Sequence, residues 1–386
     1  MELFLTKVYF VILFQMNIFT CITLIVLFGG FCFADPCTEL DILRGLNAGS
    51  YSKTSICHAL FWNNDSICTN KAPNCPTRNP LLVSEAVSLL RKLIDSSSAP
   101  ANTSAVDDDL TMMRFVVLGD VGHASSALKA TAAMVRNKIS SRVHVTAALL
   151  LGDNFYPRGI ESGVTDPQFT NVFENILAPS INAPFHVLLG NHDWMGDIKA
   201  QIEYSRINPK WNLPSEFYFQ RLQNDLFSTC VWFLDTEHFS SGKEQINWFS
   251  NSLAAESPSC TWKIVGGHHP IFDVGEYRDT SKLVESLLPI LESFKVNLYL
   301  SGHEHQSQVM FNPALSSVTF LVCGITSERR SNKRKPEHPY FVWSNTNELA
   351  FVELIATPQQ LVYNFHSSLG DQDAPPMYTG RIFPNI

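Results

Sequence analysis

Positive charge is in short supply in this chain, where 28 Lys and Arg stand against 36 Asp and Glu over 386 residues, for a formal net charge of -8. That balance argues against a nucleic-acid partner. No internal repeat is evident, which excludes a solenoid or a propeller. Beyond the N-terminal stretch no apolar run reaches membrane length, so a product cleaved there would be soluble. What remains is an ordinary globular composition, 45% apolar, enough to bury one large core or two smaller ones.

Between Lys7 and Asp35 no charged residue occurs. The stretch ends in Cys32-Phe33-Ala34 ahead of Asp35-Pro36, with a small residue at the last position, as a signal peptidase requires. Residues 1–34 therefore read as a cleaved secretory signal, and translation from Met16 would leave one of ordinary size. The alternative is membrane anchoring by residues 8–34. Cysteine usage agrees with export. Cys37, Cys57, Cys68 and Cys75 crowd one segment and suggest two disulfides with three possible pairings, while Cys230 and Cys260 stand just before two runs that read as neighbouring strands. Cys323, inside an apolar run, is expected as a buried free thiol. The sequons at Asn64 and Asn102 fit a lumenal route and a secreted or lumenal glycoprotein.

Residues 35–105 form a Cys-rich extension with an amphipathic helix around Leu82–Ile94 and a polar linker, and residues 106–386 a catalytic domain. In that domain apolar runs alternate with helical stretches such as Ala124–Ile139 and Thr280–Phe294, and the late runs Leu349–Ala356 and Gln360–Phe365 are hairpin-like. The expectation is an α/β sandwich of two mixed β-sheets flanked by helices.

Five of the runs end in a polar turn. The turns are Gly119-Asp120-Val121-Gly122, Gly152-Asp153-Asn154-Phe155-Tyr156, Gly190-Asn191-His192-Asp193, Gly266-Gly267-His268 and Gly302-His303-Glu304-His305. Ligand sites of α/β sheets are built where strands end. A lone Gly-Asp is usually just a turn, and a lone Gly-His-x-His usually a loop. Five in series bring Asp120, Asp153, Tyr156, Asn191, His268, His303 and His305 to one rim. Seven donors are too many for one tetrahedral ion and suit two octahedral ones, and with no thiolate among them a structural zinc site is disfavoured. Asp153 is the natural bridge, since the phenol three residues on reaches one ion only. A phenolate favours a trivalent ion, so Fe(III) is expected on the Tyr156 side and a divalent Fe, Zn or Mn on the other. Two ions about 3.5–4 Å apart are the recurrent clamp for displacement at phosphorus.

In this order the five motifs resemble the calcineurin-like metallophosphoesterase superfamily, and Tyr156 makes the chain similar to the purple acid phosphatases. The segments Ala200–Ser205 and Trp211–Tyr218 also resemble the small tartrate-resistant type, and the likeness covers about residues 113–365. The resemblance implies a four-layer sandwich. It places Asp120, Tyr156 and His305 on Fe(III), Asn191, His268 and His303 on the divalent ion, and Asp153 between them. His192 matches a histidine that binds phosphate and protonates the leaving group, so His192, Asp153 and Asn191 are the catalytic residues, with His192, Tyr277 and His269 binding substrate. The implied reaction is hydrolysis of phosphomonoesters, small-molecule phosphate esters first and phosphoproteins as a further class, by a metal-bound hydroxide. The alternatives are a phosphodiesterase or phosphoprotein phosphatase of the same fold, or a non-catalytic membrane-anchored scaffold.

Two departures from the family stand out. The chain between Asp235 and Trp248 is short where the mammalian tartrate-resistant enzymes carry a long loop over the site. Glu276-Tyr277 stands where those enzymes have Glu-His near the leaving group. His123 and His269 read as ordinary hydrogen-bonded histidines, although His269 occupies a pocket position that the family often gives to tyrosine. The basic run Arg329-Arg330 and Lys333-Arg334-Lys335 reads as a solvated loop, with steering of anionic substrates toward the rim as the alternative.

Overall fold

The structure, a computed structural model, describes residues 111–329 and 337–384. The stretch read as an export signal, the four cysteines of the expected N-terminal extension, both sequons, the helix expected around Leu82–Ile94 and all of the basic run except Arg329 lie outside the described residues.

Two seven-stranded sheets make up the frame. Its strands are β1 (Met113–Leu118), β2 (Ala147–Leu151), β3 (Phe185–Leu188), β4 (Trp211–Asn212), β5 (Tyr218–Gln223), β6 (Ser228–Leu234), β7 (Trp262–Gly267), β8 (Leu298–Ser301), β9 (Ser307–Met310), β10 (Thr319–Cys323), β11 (Phe341–Asn345), β12 (Ala350–Ala356), β13 (Leu361–Ser367) and β14 (Tyr378–Ile382). One sheet runs β14-β13-β12-β1-β2-β3-β4 and the other β11-β9-β10-β8-β7-β6-β5. Both are mixed, with parallel β1-β2-β3-β4 in the first and parallel β6-β7-β8-β10 in the second. Strands joined by parallel crossovers end at the same edge, which is why turns far apart in sequence can meet.

Alternation along the strands decides the layers. On β6, Val231 and Phe233 join the core shared with the first sheet, whereas Cys230, Trp232 and Leu234 pack with Phe249 and Leu253 of helix Lys243–Glu256. The same switch separates Leu298 and Leu300 from Tyr299 on β8. A side chain leaves a strand on opposite faces at successive residues, so a strand buried on both sides serves two cores at once. With helix, sheet, sheet and helix in sequence, the expected four-layer sandwich is what the chain forms.

Local chemistry trims the expected helices. The first, α1, spans Ser126–Val135 and starts where the Ser125 side chain accepts the Leu128 N–H, then loosens into a π-helical turn over Arg136–Ser140. The long helix expected over Thr280–Phe294 is instead two short ones, Ser281–Ser286 and Leu288–Ser293. Pro289 has no N–H to give and its ring crowds the carbonyl four residues back. The late hairpin forms as read, with β12, β13 and β14 antiparallel. Cys230 and Cys260 are disulfide-bonded with Cα atoms 5.8 Å apart, and Cys323 is buried and free.

Candidate metal centre

Each of the five turns delivers its donors directly from a strand end, and three donors do so with backbone in the left-handed region: Asp120 at φ 57°, Asp153 at 51° and His303 at 66°. A non-glycine residue there is strained, and such strain persists where the surroundings hold it. Here hydrogen bonds hold it. The Asp120 N–H donates to Gly152 O at 3.1 Å, the His303 N–H to Asp120 Oδ2 at 2.9 Å, and the His192 N–H to Asp153 Oδ1 at 2.9 Å. Gly190 must lack a side chain, because a Cβ there would strike the Asp153 carboxylate.

The donors fall into two sets. Around the Tyr156 hydroxyl lie Asp153 Oδ2 at 3.0 Å, Asp120 Oδ1 at 3.1 Å and His305 Nε2 at 3.2 Å. Around Asn191 Oδ1 lie His303 Nδ1 at 3.0 Å and His268 Nε2 at 3.1 Å, with the two imidazole nitrogens 3.3 Å apart. Asp153 belongs to both: its other oxygen, Oδ1, lies 3.4 Å from His268 Nε2. Asp120, Asp153 and His268 each offer an atom within 4.8 Å of the others. All seven donors named from the sequence therefore converge, Asp120, Tyr156 and His305 beside one oxygen of Asp153 and His268, with Asn191 and His303, beside the other.

This arrangement fits metal ions better than it fits itself. A single phenolic proton cannot serve three acceptors, and the carboxylates of Asp120 and Asp153 are buried at 0% and 2% exposure. Buried charges need partners. Burial and the two carboxylates push the Tyr156 phenol far above its usual range, so a phenolate there requires a cation beside it. Burial would raise Asp153, yet the His268 imidazolium outweighs it and holds the carboxyl well below the carboxylate range. His268 is correspondingly pushed up to about 10, against burial, by Asp153. A proton on His268 thus stands where a metal ion would displace it. His303 is pushed down to about 2 by burial and by His268, which leaves its imidazole neutral as a ligand must be.

Second partners fix the ring orientations. His268 Nδ1 donates to Leu151 O at 2.8 Å, which turns Nε2 toward Asn191 and Asp153. His192 Nδ1 donates to Pro157 O at 2.6 Å, leaving Nε2 4.0 Å from Asp153 Oδ2, with the ring edge-on to Tyr156 at 4.7 Å. His269 bonds Thr236 Oγ1 at 2.9 Å and lies 4.5 Å ring to ring from His303, at the rim of the second set. His123 stacks on Tyr156 at 4.5 Å and pairs with Glu328 at 3.5 Å, so it is a wall of the first set rather than a bystander. Tyr277, 45% exposed, leans on His303 with ring centroids 4.3 Å apart.

Several supporting residues carry no signal of their own in the sequence. Asp193 is buried and accepts the N–H groups of Gly190 at 2.8 Å and Asn154 at 3.1 Å, and Gln201 Nε2 at 3.0 Å, tying the second and third motifs together. Burial and the Asp153 charge push it up to about 6. Thr326 Oγ1 accepts the Gly119 N–H at 3.2 Å, and the Ser327 hydroxyl donates to Asp120 O. Only membership of the third motif pointed to Asp193. The short connection after Asp235 is closed by Asp235 itself, which accepts Trp194 Nε1 at 3.0 Å and His238 Nδ1 at 2.9 Å.

The calcineurin-like phosphoesterase family model matches residues 113–307. Tartrate-resistant acid phosphatase type 5 of Sus scrofa is 31% identical over 294 residues, 67% of this chain and 84% of that protein. Among solved structures, GAP50, the anchor in the inner membrane complex of Plasmodium, superposes with a TM-score of 0.64 at 24% identity, covering 72% of this chain and 90% of that one. Purple acid phosphatase PPD1 from yellow lupin (Lupinus luteus) seeds does so with a TM-score of 0.56 at 15% identity, covering 71% and 54%. At those identities the two structures speak for the fold alone. Sequence kinship over two thirds of the chain, on the same two-sheet frame, makes this protein a member of the calcineurin-like phosphoesterase family, in its purple acid phosphatase branch.

Proposed function

We propose that the protein is a dinuclear acid phosphatase that hydrolyses phosphomonoesters in a secretory or lumenal compartment. The observation that carries the reading is Asp153, whose two oxygens face two separate donor sets. In this reading Asp120, Tyr156 and His305 hold Fe(III), Asn191, His268 and His303 hold a divalent Fe, Zn or Mn, and Asp153 serves both. Bound, the two ions supply Lewis acidity and an activated water for displacement at phosphorus.

The chain's own groups do the rest. The His192 backbone N–H locks Asp153 in place, while its imidazole, held by Pro157 O, keeps Nε2 on the site side to bind a phosphate oxygen and protonate the departing one. His269 and Tyr277 line the pocket on the His303 side. The scarcity of Lys and Arg in the chain agrees with phosphate binding by ions rather than side chains. Export by residues 1–34 is supported by the Cys230–Cys260 disulfide, since such bonds persist in oxidising compartments; residues 35–105 are taken as an appended module on their sequence alone.

Metal analysis combined with assays across pH tests the proposal. The purified chain should hold close to two ions, absorb visible light through Tyr156 and Fe(III), and hydrolyse aryl and alkyl phosphomonoesters best in acid. A metal-loaded protein inert toward both esters would favour the scaffold, and faster cleavage of diesters than monoesters would favour the phosphodiesterase.

A further inference from the structure

Glu304 sits between two metal donors and has a separate task. Its side chain is completely buried, and its Oε2 accepts the backbone N–H groups of Glu276 at 2.7 Å and Tyr277 at 3.3 Å. The loop carrying those residues is also gripped from below by Asp273, whose Oδ1 accepts the Gly275 N–H at 2.7 Å and whose Oδ2 accepts the Arg278 N–H at 2.9 Å. Gln308 on β9 fixes Asp273 in turn, donating to Oδ1 at 2.6 Å. Contact is so close at Gly275 that a Cβ there would collide with the Glu304 carboxylate.

Four consecutive loop N–H groups ending on two buried carboxyl groups make an anchored segment of what would otherwise be a mobile surface loop, because each amide is tied to an acceptor that is itself held in the core. The consequence shows at Tyr277, whose ring stays exposed yet lies 4.3 Å from the His303 ring. We propose that Glu304 is a positioning residue: it clamps the Gly275–Tyr277 loop onto the His303–His305 turn, so that Tyr277 is held at a set distance from the reacting phosphate. The inference rests on the phosphatase reading. Glu304 touches neither substrate nor product in this scheme and acts through Tyr277. What it must supply is an acceptor oxygen at full reach, so Gln should replace it, and the shorter Asp should not.

The test uses the metal-loaded enzyme with Glu304→Gln, Glu304→Asp, Glu304→Ala, Tyr277→Ala and the Glu304→Ala/Tyr277→Ala double variant. Hydrogen exchange at the Glu276 and Tyr277 amides should quicken by about tenfold or more in the Ala variant of Glu304, partway in the Asp variant, and hardly at all in the Gln variant. With p-nitrophenyl phosphate and an alkyl phosphate, Glu304→Ala should raise KM about tenfold with kcat within about threefold and both metals retained. The double variant should be no worse than the poorer single one, because both lesions remove the same placement. If Glu304→Gln is as damaged as Glu304→Ala, if Glu304→Asp matches the wild type, or if the two lesions add, the clamp is refuted. Should Glu304→Ala not fold, the Gln and Asp variants decide alone. Wild-type protein without phosphatase activity would sink the phosphatase reading, while amide exchange, which needs no substrate, would still judge the clamp.

Discussion

Asp153 and His192 make opposite demands on the same few ångströms. Asp153 touches both donor sets, so Asp153→Asn should release both ions, where loss of a donor belonging to one set, such as Asn191→Ala, should loosen one. A neutral amide bridges two cations poorly. Metal content after dialysis is the measurement, and an Asn variant that keeps two ions would end the bridging assignment. His192 is anchored outside both sets by Pro157 O, so His192→Ala should leave metal content unchanged. Its activity toward an alkyl phosphate should fall by roughly a hundred- to ten-thousandfold, the range typical of a general acid. Aryl esters should suffer less, since a phenol leaves without much help. Tyr277 bears on the same step: a phenol is a poor proton donor in acid, so Tyr277→His should raise the alkyl phosphate rate relative to the aryl rate, as read from parallel kcat values.

At the scale of elements, the first sheet carries a charged cluster in its middle. Glu353 on β12 pairs with Arg114 on β1 and accepts from Asn364 at 3.0 Å and His366 at 3.1 Å, both on β13. Burial would raise the Glu353 carboxyl, but the His366 hydrogen bond and the Arg114 guanidinium push it down to about 2 from an ordinary 4.5. A depressed carboxylate contributes stability above its unfolded-state value and loses it as pH falls toward the folded one. Roughly 3 kcal/mol is therefore at stake between about pH 4.5 and pH 2. Glu353→Gln should lower Tm at neutral pH and flatten the fall of Tm with acid, measured by thermal unfolding against pH. An equally steep acid slope in the variant would show that other groups control it. In the second sheet the Cys230–Cys260 bridge ties the start of β6 to the turn before β7. Cys230→Ala with Cys260→Ala should cost about 2–5 kcal/mol in urea unfolding.

For the whole molecule, the question is how an acidic chain presents a phosphate site. Its net charge of -8 already includes the buried site carboxylates, so in the proposed reading the ions at the centre are the chief source of substrate attraction. Chelation should therefore do more than stop turnover: it should abolish binding of inorganic phosphate, followed by calorimetry, and reloading should restore it. Phosphate binding of equal strength in the stripped protein would locate the anion site elsewhere.

Much of this was legible in the sequence because strand-and-turn patterns are local. Five apolar runs ending in Asp, Asn or His predicted the donors, and their alternation with helices predicted the two-sheet sandwich. Even the Cys230–Cys260 pair followed from placing each cysteine near the head of one of two neighbouring strands, although β6 starts at Ser228 and so takes Cys230 inside it. Helix ends were less legible, and the break at Pro289 shows why a periodic pattern can run past a residue that cannot donate. What only the tertiary structure decided are contacts between residues distant in the chain. Asp193 joining the second and third motifs, His123 walling Tyr156, and Glu304 gripping a loop 27 residues away belong to this class. The sequence determined which groups arrive at the rim, since each is fixed by its own strand. Which groups brace one another there depends on how the two sheets bring those strand ends together, and no local pattern encodes that.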